Sequence, residues 1–214
     1  MMNKRVKEGI RKFRKENTRI RFCLGTLALI FFSVVLLIIA TFTQIKVDFN
    51  IPFNSGISDY LKFEYIPQIP TVIFIATLLG ECWGLLAILI YIFLGLTPWF
   101  PIFALGGGLS YIFQYNFGYI FAYIFAVVLT AGELKKNDSI WTSLKAVLYG
   151  VLSVHVIGSI YMAIIALFRQ DSIYFVSNWI YYQSLSKILY DIVFGILALI
   201  LAKGCRKILW LIMG

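Results

Sequence analysis

Gly106-Gly107-Gly108-Leu109-Ser110-Tyr111-Ile112-Phe113-Gln114-Tyr115-Asn116-Phe117-Gly118-Tyr119 is the stretch on which the reading of this chain turns. It is glycine-rich, carries amides and aromatics, and lies between two strongly apolar runs. Lipid tolerates irregular backbone only where protein or a water-filled cavity satisfies the freed amide groups. The stretch therefore reads as the lining of a pocket rather than as a plain membrane span.

The rest of the chain supplies the membrane setting. Of its 214 residues, 61% are hydrophobic and 14% charged, and the mean hydropathy is +0.87. A soluble domain is usually about 45–50% apolar and about 25% charged. The length accommodates roughly five to seven helical spans of about 20 residues with short connections. That leaves no room for a separate soluble catalytic domain. The expectation is an all-α integral membrane protein, a compact bundle of about six transmembrane helices.

A net charge of +9 would suggest nucleic acid in a soluble protein. Its distribution points elsewhere. Nine of the 19 Lys and Arg residues fall in the first 21 positions, namely Lys4, Arg5, Lys7, Arg11, Lys12, Arg14, Lys15, Arg19 and Arg21. A basic run leading straight into an apolar segment is the positive-inside signal, reinforced by anionic headgroups. Membrane lipid is the expected partner, and nucleic acid is not. The three cysteines, Cys23, Cys82 and Cys205, are odd in number and sit at edges of apolar runs without metal-like spacing. Neither a disulfide framework, a metal site nor a cofactor is expected. The N-terminal apolar run is also too long for a cleaved signal peptide, and no small-residue cleavage site follows it.

Span one is read from Leu24 to Thr43, followed by a polar segment from Gln44 to about Tyr65 with Lys46, Asp48, Asp59, Lys62 and Glu64. Spans two and three are short, Ile69–Leu79 and Leu85–Leu96, joined by Gly80-Glu81-Cys82-Trp83-Gly84. They are either two spans or one long broken hairpin. Spans four, five and six cover Gly118–Ala131, Leu144–Phe168 and Leu185–Ala202. Six spans place the basic N-terminal tail, Lys135 and Lys136, and the basic residues Lys203, Arg206 and Lys207 on one side. The opposite loops keep Lys46, Lys62 and Arg169, with Lys187 at a helix start. N-in/C-in topology follows. Trp83 and Trp141 then fall at inner ends, and Trp99 and Trp179 at outer ends, as an aromatic belt requires. A pocket built from segments 44–68, 104–117 and 169–186 opens outward. Ile208–Met213 is expected to lie in the interface beside Trp210.

These residues carry a resemblance. Pro67-Gln68-Ile69-Pro70, Gly80-x-x-x-Gly84, Tyr91-Ile92-Phe93-Leu94-Gly95, Phe103-Ala104-Leu105-Gly106-Gly107-Gly108 and Gln114-x-x-Phe117-Gly118-Tyr119 follow one another in this order. In order and spacing they resemble the BioY family, the biotin-specific substrate-binding (S) components of energy-coupling factor (ECF) vitamin transporters, over about positions 60–200. The resemblance implies a six-helix protein of the cell (plasma) membrane, multi-pass, that binds biotin from outside and is not an enzyme. Its implied partners are biotin or a similar small vitamin, the transmembrane coupling protein and two cytoplasmic ATPase subunits. The chain has no G-x-x-x-x-G-K-[ST] phosphate loop, so uphill uptake would draw on a separate ATPase. The expected domains are a basic cytoplasmic tail over 1–23, a single six-helix transmembrane substrate-binding domain over 24–204, and a short cytoplasmic or interfacial tail over 205–214.

The polar residues are the candidates for ligand contact. By resemblance Gln68 matches the glutamine of the family's P-F-T-x-Q phrase; an amide both donates and accepts, which suits a ureido ring. Its other reading is an interfacial amide capping a helix after Pro67. Tyr111, Gln114, Asn116 and Tyr119 offer amide hydrogen bonds and an aromatic wall, or else loop polarity and belt tyrosines. Lys187 matches the lysine of the family's G-D-x-x-K phrase, whose acid and lysine hold the ligand's polar ends, while Ser184 stands where the aspartate is expected. Lys187 either pairs with a ligand carboxylate or snorkels to the interface. Asp191, four residues on, shares its helix face and supplies a substitute acid or pairs with the lysine. His155, midway along span five beside Ser153, Gly158 and Ser159, is either functional or hydrogen-bonded across a helix contact. An S component for another small vitamin or carboxylated heterocycle, and a scaffold or channel with no ligand, are the alternatives.

Overall fold

The computed structural model describes residues 24–49, 61–104 and 106–213. The basic run Lys4–Arg21, Cys23, Asp59 and Leu105 lie outside the described residues. Helix α1 (Leu24–Phe42) leads into strands β1 (Ile45–Phe49) and β2 (Leu61–Tyr65). Then come α2 (Gln68–Leu96), a 3-10 turn (Leu109–Phe113), α3 (Phe117–Leu134) and α4 (Ile140–Arg169). The short α5 (Ile173–Ile180) passes through a π turn (Tyr181–Leu185) into α6 (Ile188–Met213). Among the described residues, five helical segments are long and apolar enough to cross a membrane.

The polar segment after α1 departs from an all-α fold. Ile45-Lys46-Val47-Asp48-Phe49 and Leu61-Lys62-Phe63-Glu64-Tyr65 each alternate apolar and polar residues with a period of two, the pattern of a strand. They pair antiparallel, with Ile45 opposite Tyr65 and Phe49 opposite Leu61.

Helix α2 is broken. Gly80 has φ 77° and ψ −171°, a conformation almost confined to glycine. Gln68 Nε2 donates to Thr41 Oγ1 at 2.8 Å, and the Tyr91 hydroxyl meets the same oxygen at 2.8 Å. In a straight helix Gln68 and Tyr91 would be about 34 Å apart, at 1.5 Å per residue. The two limbs therefore run back alongside each other from Gly80. A Cβ at Gly84 would sit 3.6 Å from Ala76 Cα, as a tight hairpin demands. Of the two readings the sequence leaves open for this region, the structure takes the broken hairpin.

The limbs of α2 pack against α1, α3 and α6, and α3 packs along α4. The α3–α4 contact is reciprocal. A Cβ on Gly118 would lie 2.3 Å from Tyr161, and one on Gly158 would lie 2.4 Å from the Tyr119 ring. Small residues at such crossings let helices approach closely where no hydrophobic effect drives them together. Small polar side chains such as Thr26, Ser33, Thr77 and Thr130 are buried, while Phe31, Phe32, Phe93 and Leu201 are exposed, as a lipid-facing surface requires. Thr41 and Thr77 satisfy their own hydroxyl protons on the carbonyls of Leu37 and Ile73.

The bundle has two chemically distinct ends. At one, beside the Gly80 bend, Glu81 pairs with Lys135. Lys203 Nζ reaches Asp138 Oδ1 at 3.0 Å and Ser143 Oγ at 2.9 Å, and Arg206 donates to the Thr77 carbonyl at 3.4 Å. Helix α6 continues past Ala202, where the apolar pattern predicts its end, and residues 205–213 belong to it. The opposite end holds Thr41, Gln68, the glycine-rich stretch and the start of α6.

Candidate ligand-binding site

The glycine-rich stretch is irregular but internally satisfied. Phe103 and Gly106 exchange backbone hydrogen bonds at 3.1 and 3.0 Å, and the Gly108 N–H donates to the Gly95 carbonyl at 2.9 Å. That approach is possible because Gly95 has no side chain: a Cβ there would lie 2.1 Å from the Phe103 ring. The 3-10 turn then buries Tyr111 between Phe103, at 4.7 Å between ring centroids, and Phe117, at 6.5 Å. From outside, Arg169 donates to the Phe113 carbonyl at 2.8 Å and lies 4.5 Å over the Tyr115 ring. Tyr115 donates to Asp171 Oδ2 at 2.6 Å, and that hydrogen bond pushes the Tyr115 pKa above its ordinary value.

Behind this stretch lies a cavity between β2, α2, α3 and α6. Gln183, Lys187 and Asp191 form one wall at four-residue spacing, the repeat that places side chains on one helix face. Asn116, just before α3, and Tyr119 and Tyr123 on it form a second wall, and Tyr65 and Gln68 close a third side. Toward the helix ends, Lys187 Nζ donates to Gln183 Oε1 at 2.6 Å, and Gln183 Nε2 faces Asn116 Oδ1 at a long 3.4 Å.

Deeper in, Asp191 is only 2% exposed. Its Oδ1 accepts from the Tyr65 hydroxyl at 2.7 Å, and its Oδ2 lies 3.1 Å from His155 Nε2. Burial first, then the Asp191 charge and the hydrogen bond to it, push the Tyr65 pKa far up, so this phenol remains a donor. The Tyr65 ring stacks on Phe194 with centroids 5.0 Å apart. Beside them Tyr123 donates to Gln68 Oε1 at 3.0 Å. The side-chain amide of Gln68 thus joins α1, α2 and α3.

Of the residues singled out from sequence, Gln68, Tyr111, Asn116, Tyr119, Lys187 and Asp191 line this one cavity. Gln114 does not. It leaves the 3-10 turn with extended backbone, φ −85° and ψ 147°, and is exposed. Ser184 is buried behind the wall, with its Oγ 2.9 Å from the Tyr119 hydroxyl and 3.1 Å from Ser159 Oγ. His155 makes its contact across the α4–α6 packing, onto Asp191. Tyr65, Tyr123 and Gln183 are the polar lining residues that sequence reasoning missed. Two of them were legible: Tyr123 lies four residues after Tyr119, and Gln183 four before Lys187. Among the described residues no group of three His, Cys, Asp or Glu side chains could hold a metal ion.

A polytopic bundle with a polar cavity near one end defines a class, that of membrane-embedded small-molecule binders. The fold matches the crystal structure at 2.1 Å of the S-component for biotin from an ECF-type ABC transporter. The TM-score is 0.64 over 86% of this chain and 92% of that one, at 21% sequence identity. No curated protein sequence matches the chain. The sequence model of the BioY family matches residues 12–210, and the chain belongs to that family. Its members are transporter substrate-binding components, not enzymes.

Proposed function

We propose that this protein is the substrate-binding subunit of an ECF-type transporter and binds biotin from the outer side of the cell membrane. A separate transmembrane coupling protein and ATPase subunits would then drive uptake. The observation that carries the reading is the convergence of Lys187, Asp191, Asn116, Gln68 and Tyr119 on one cavity. A cation near the helix ends and an acid deeper in suit a ligand with a carboxylate at one end and hydrogen-bond donors at the other.

The orientation rests on charge. Lys135, Lys203 and Arg206 gather at the end away from the cavity, and the basic 1–23 segment leads into α1. The positive-inside rule puts that end in the cytoplasm. Counting the limbs of α2 separately gives six traverses with both termini inside, and residues 24–204 form the substrate-binding domain.

Thermal unfolding of the detergent-purified protein with a panel of vitamins tests this. Ligand at about 100 times its dissociation constant should add about 2.7 kcal/mol. Stabilisation by a different vitamin alone would replace biotin and keep the class. No stabilisation by any would reject a ligand-binding role.

A further inference from the structure

We propose that Asp191 reads the N–H donors of the ligand and that His155 is the positioning residue that holds it for that task. This rests on the reading of the cavity as a small-molecule site. Asp191 is the one acidic side chain lining it among the described residues. A carboxylate has about four lone-pair sites. Tyr65 takes one on Oδ1 and His155 one on Oδ2, so each oxygen keeps a further site. The other side-chain acceptors near the cavity are neutral, so they accept more weakly than a carboxylate, and each already faces a donor or another hydroxyl. Gln68 Oε1 is taken by Tyr123, Asn116 Oδ1 faces Gln183, and the Ser184 hydroxyl is turned to Tyr119 and Ser159.

His155 reaches Asp191 from α4 and is itself 4% exposed. Its Nδ1 is buried with no hydrogen-bond partner, whereas its Nε2 faces a carboxylate that can only accept. The tautomer with its proton on Nε2 fits both facts. A buried carboxylate is costly unless hydrogen-bonded. Tyr65 and His155 supply those bonds from opposite sides, from β2 and from α4, and so fix the plane of the acid. The ligand class that fits is a compound whose ring presents N–H groups, as a cyclic urea, lactam or amidine does. Its anionic group would lie one helix turn away, beside Lys187.

Titration calorimetry of the full chain in detergent, with biotin and with biotin methylated on its ureido nitrogens, tests this. The wild type should prefer biotin by about tenfold or more, the scale of a hydrogen bond to a charged group. Asp191→Asn and His155→Leu should erase most of that preference, and His155→Gln, which keeps a donor near the Nε2 position, should restore it. The preference for biotin over its methyl ester, which reads the Lys187 end, should stay unchanged in all three. A preference equal to wild type in Asp191→Asn and His155→Leu would overturn the proposal and leave the biotin reading standing. Equal affinity of the wild type for both compounds would overturn it without any variant, so the test survives a variant that fails to fold. No binding of biotin at all would overturn both.

Discussion

Gln68 and Tyr91 meet at one oxygen atom, Thr41 Oγ1, each at 2.8 Å. Because Thr41 gives its own proton to the Leu37 carbonyl, Tyr91 must be the donor in its contact. One hydroxyl therefore ties the end of α1 to both limbs of α2. Thr41→Val keeps the shape and leaves the buried Tyr91 hydroxyl and Gln68 Nε2 without this partner. The expected loss is about 1–3 kcal/mol, read as a lower thermal midpoint in detergent, with Tyr91→Phe costing less. Wild-type midpoints in both variants would reject this junction.

The hairpin in α2 depends on Gly80. A Cβ there would meet nothing within 4 Å, so any penalty comes from the backbone alone. Gly80→Ala should cost about 1–3 kcal/mol, the range for a residue held where only glycine is comfortable. Gly132→Ala is the control, since Gly132 lies within α3 with open space around it. Its midpoint should stay level or rise slightly.

The α3–α4 crossing carries the cavity wall. Gly158→Ala would place a Cβ 2.4 Å from Tyr119, a lining residue whose hydroxyl contacts Ser184. Overpacking should cost about 1–3 kcal/mol. It should also displace Tyr119 and weaken ligand binding, measured by calorimetry. A loss of stability with intact affinity would separate the crossing from the site.

Lys187 offers the cleanest test of ligand charge. Lys187→Met should lower affinity for a carboxylate ligand by roughly 10- to 100-fold, the scale of a charged hydrogen bond. Affinity for the corresponding methyl ester should barely change. Equal losses for acid and ester would mean that Lys187 acts on the shape of the site through Gln183, its hydrogen-bond partner.

Much of this architecture could be read residue by residue. The apolar runs are long enough to predict α1, α3 and α4 to within a few residues at most ends. Glycine and amide density marked the stretch from Gly106 as irregular, and it stays so up to Asn116, before α3 begins at Phe117. The pairing of 45–49 with 61–65 was equally legible in the two alternating runs, but their charges read as a polar loop. Gln114 misled for a physical reason. Composition says that an amide is present, while φ and ψ at the end of a 3-10 turn decide whether it points at the cavity or at solvent.

The sequence by itself determined that this chain lives in a membrane and which family it resembles, and it marked Lys187 and Asp191 as polar residues on one helix face. Those properties follow from local composition and from the 3.6-residue repeat, which need no knowledge of neighbouring helices. Only the tertiary structure decided that the break between the two apolar limbs falls at Gly80 itself, and that Ser184 turns away from the cavity. It alone set the partners of Asp191, bringing Tyr65 from β2 and His155 from α4 to its two oxygens. Pairings between residues so distant in the chain are set by how the helices cross. In this bundle the crossings are governed by which glycines leave room for which rings.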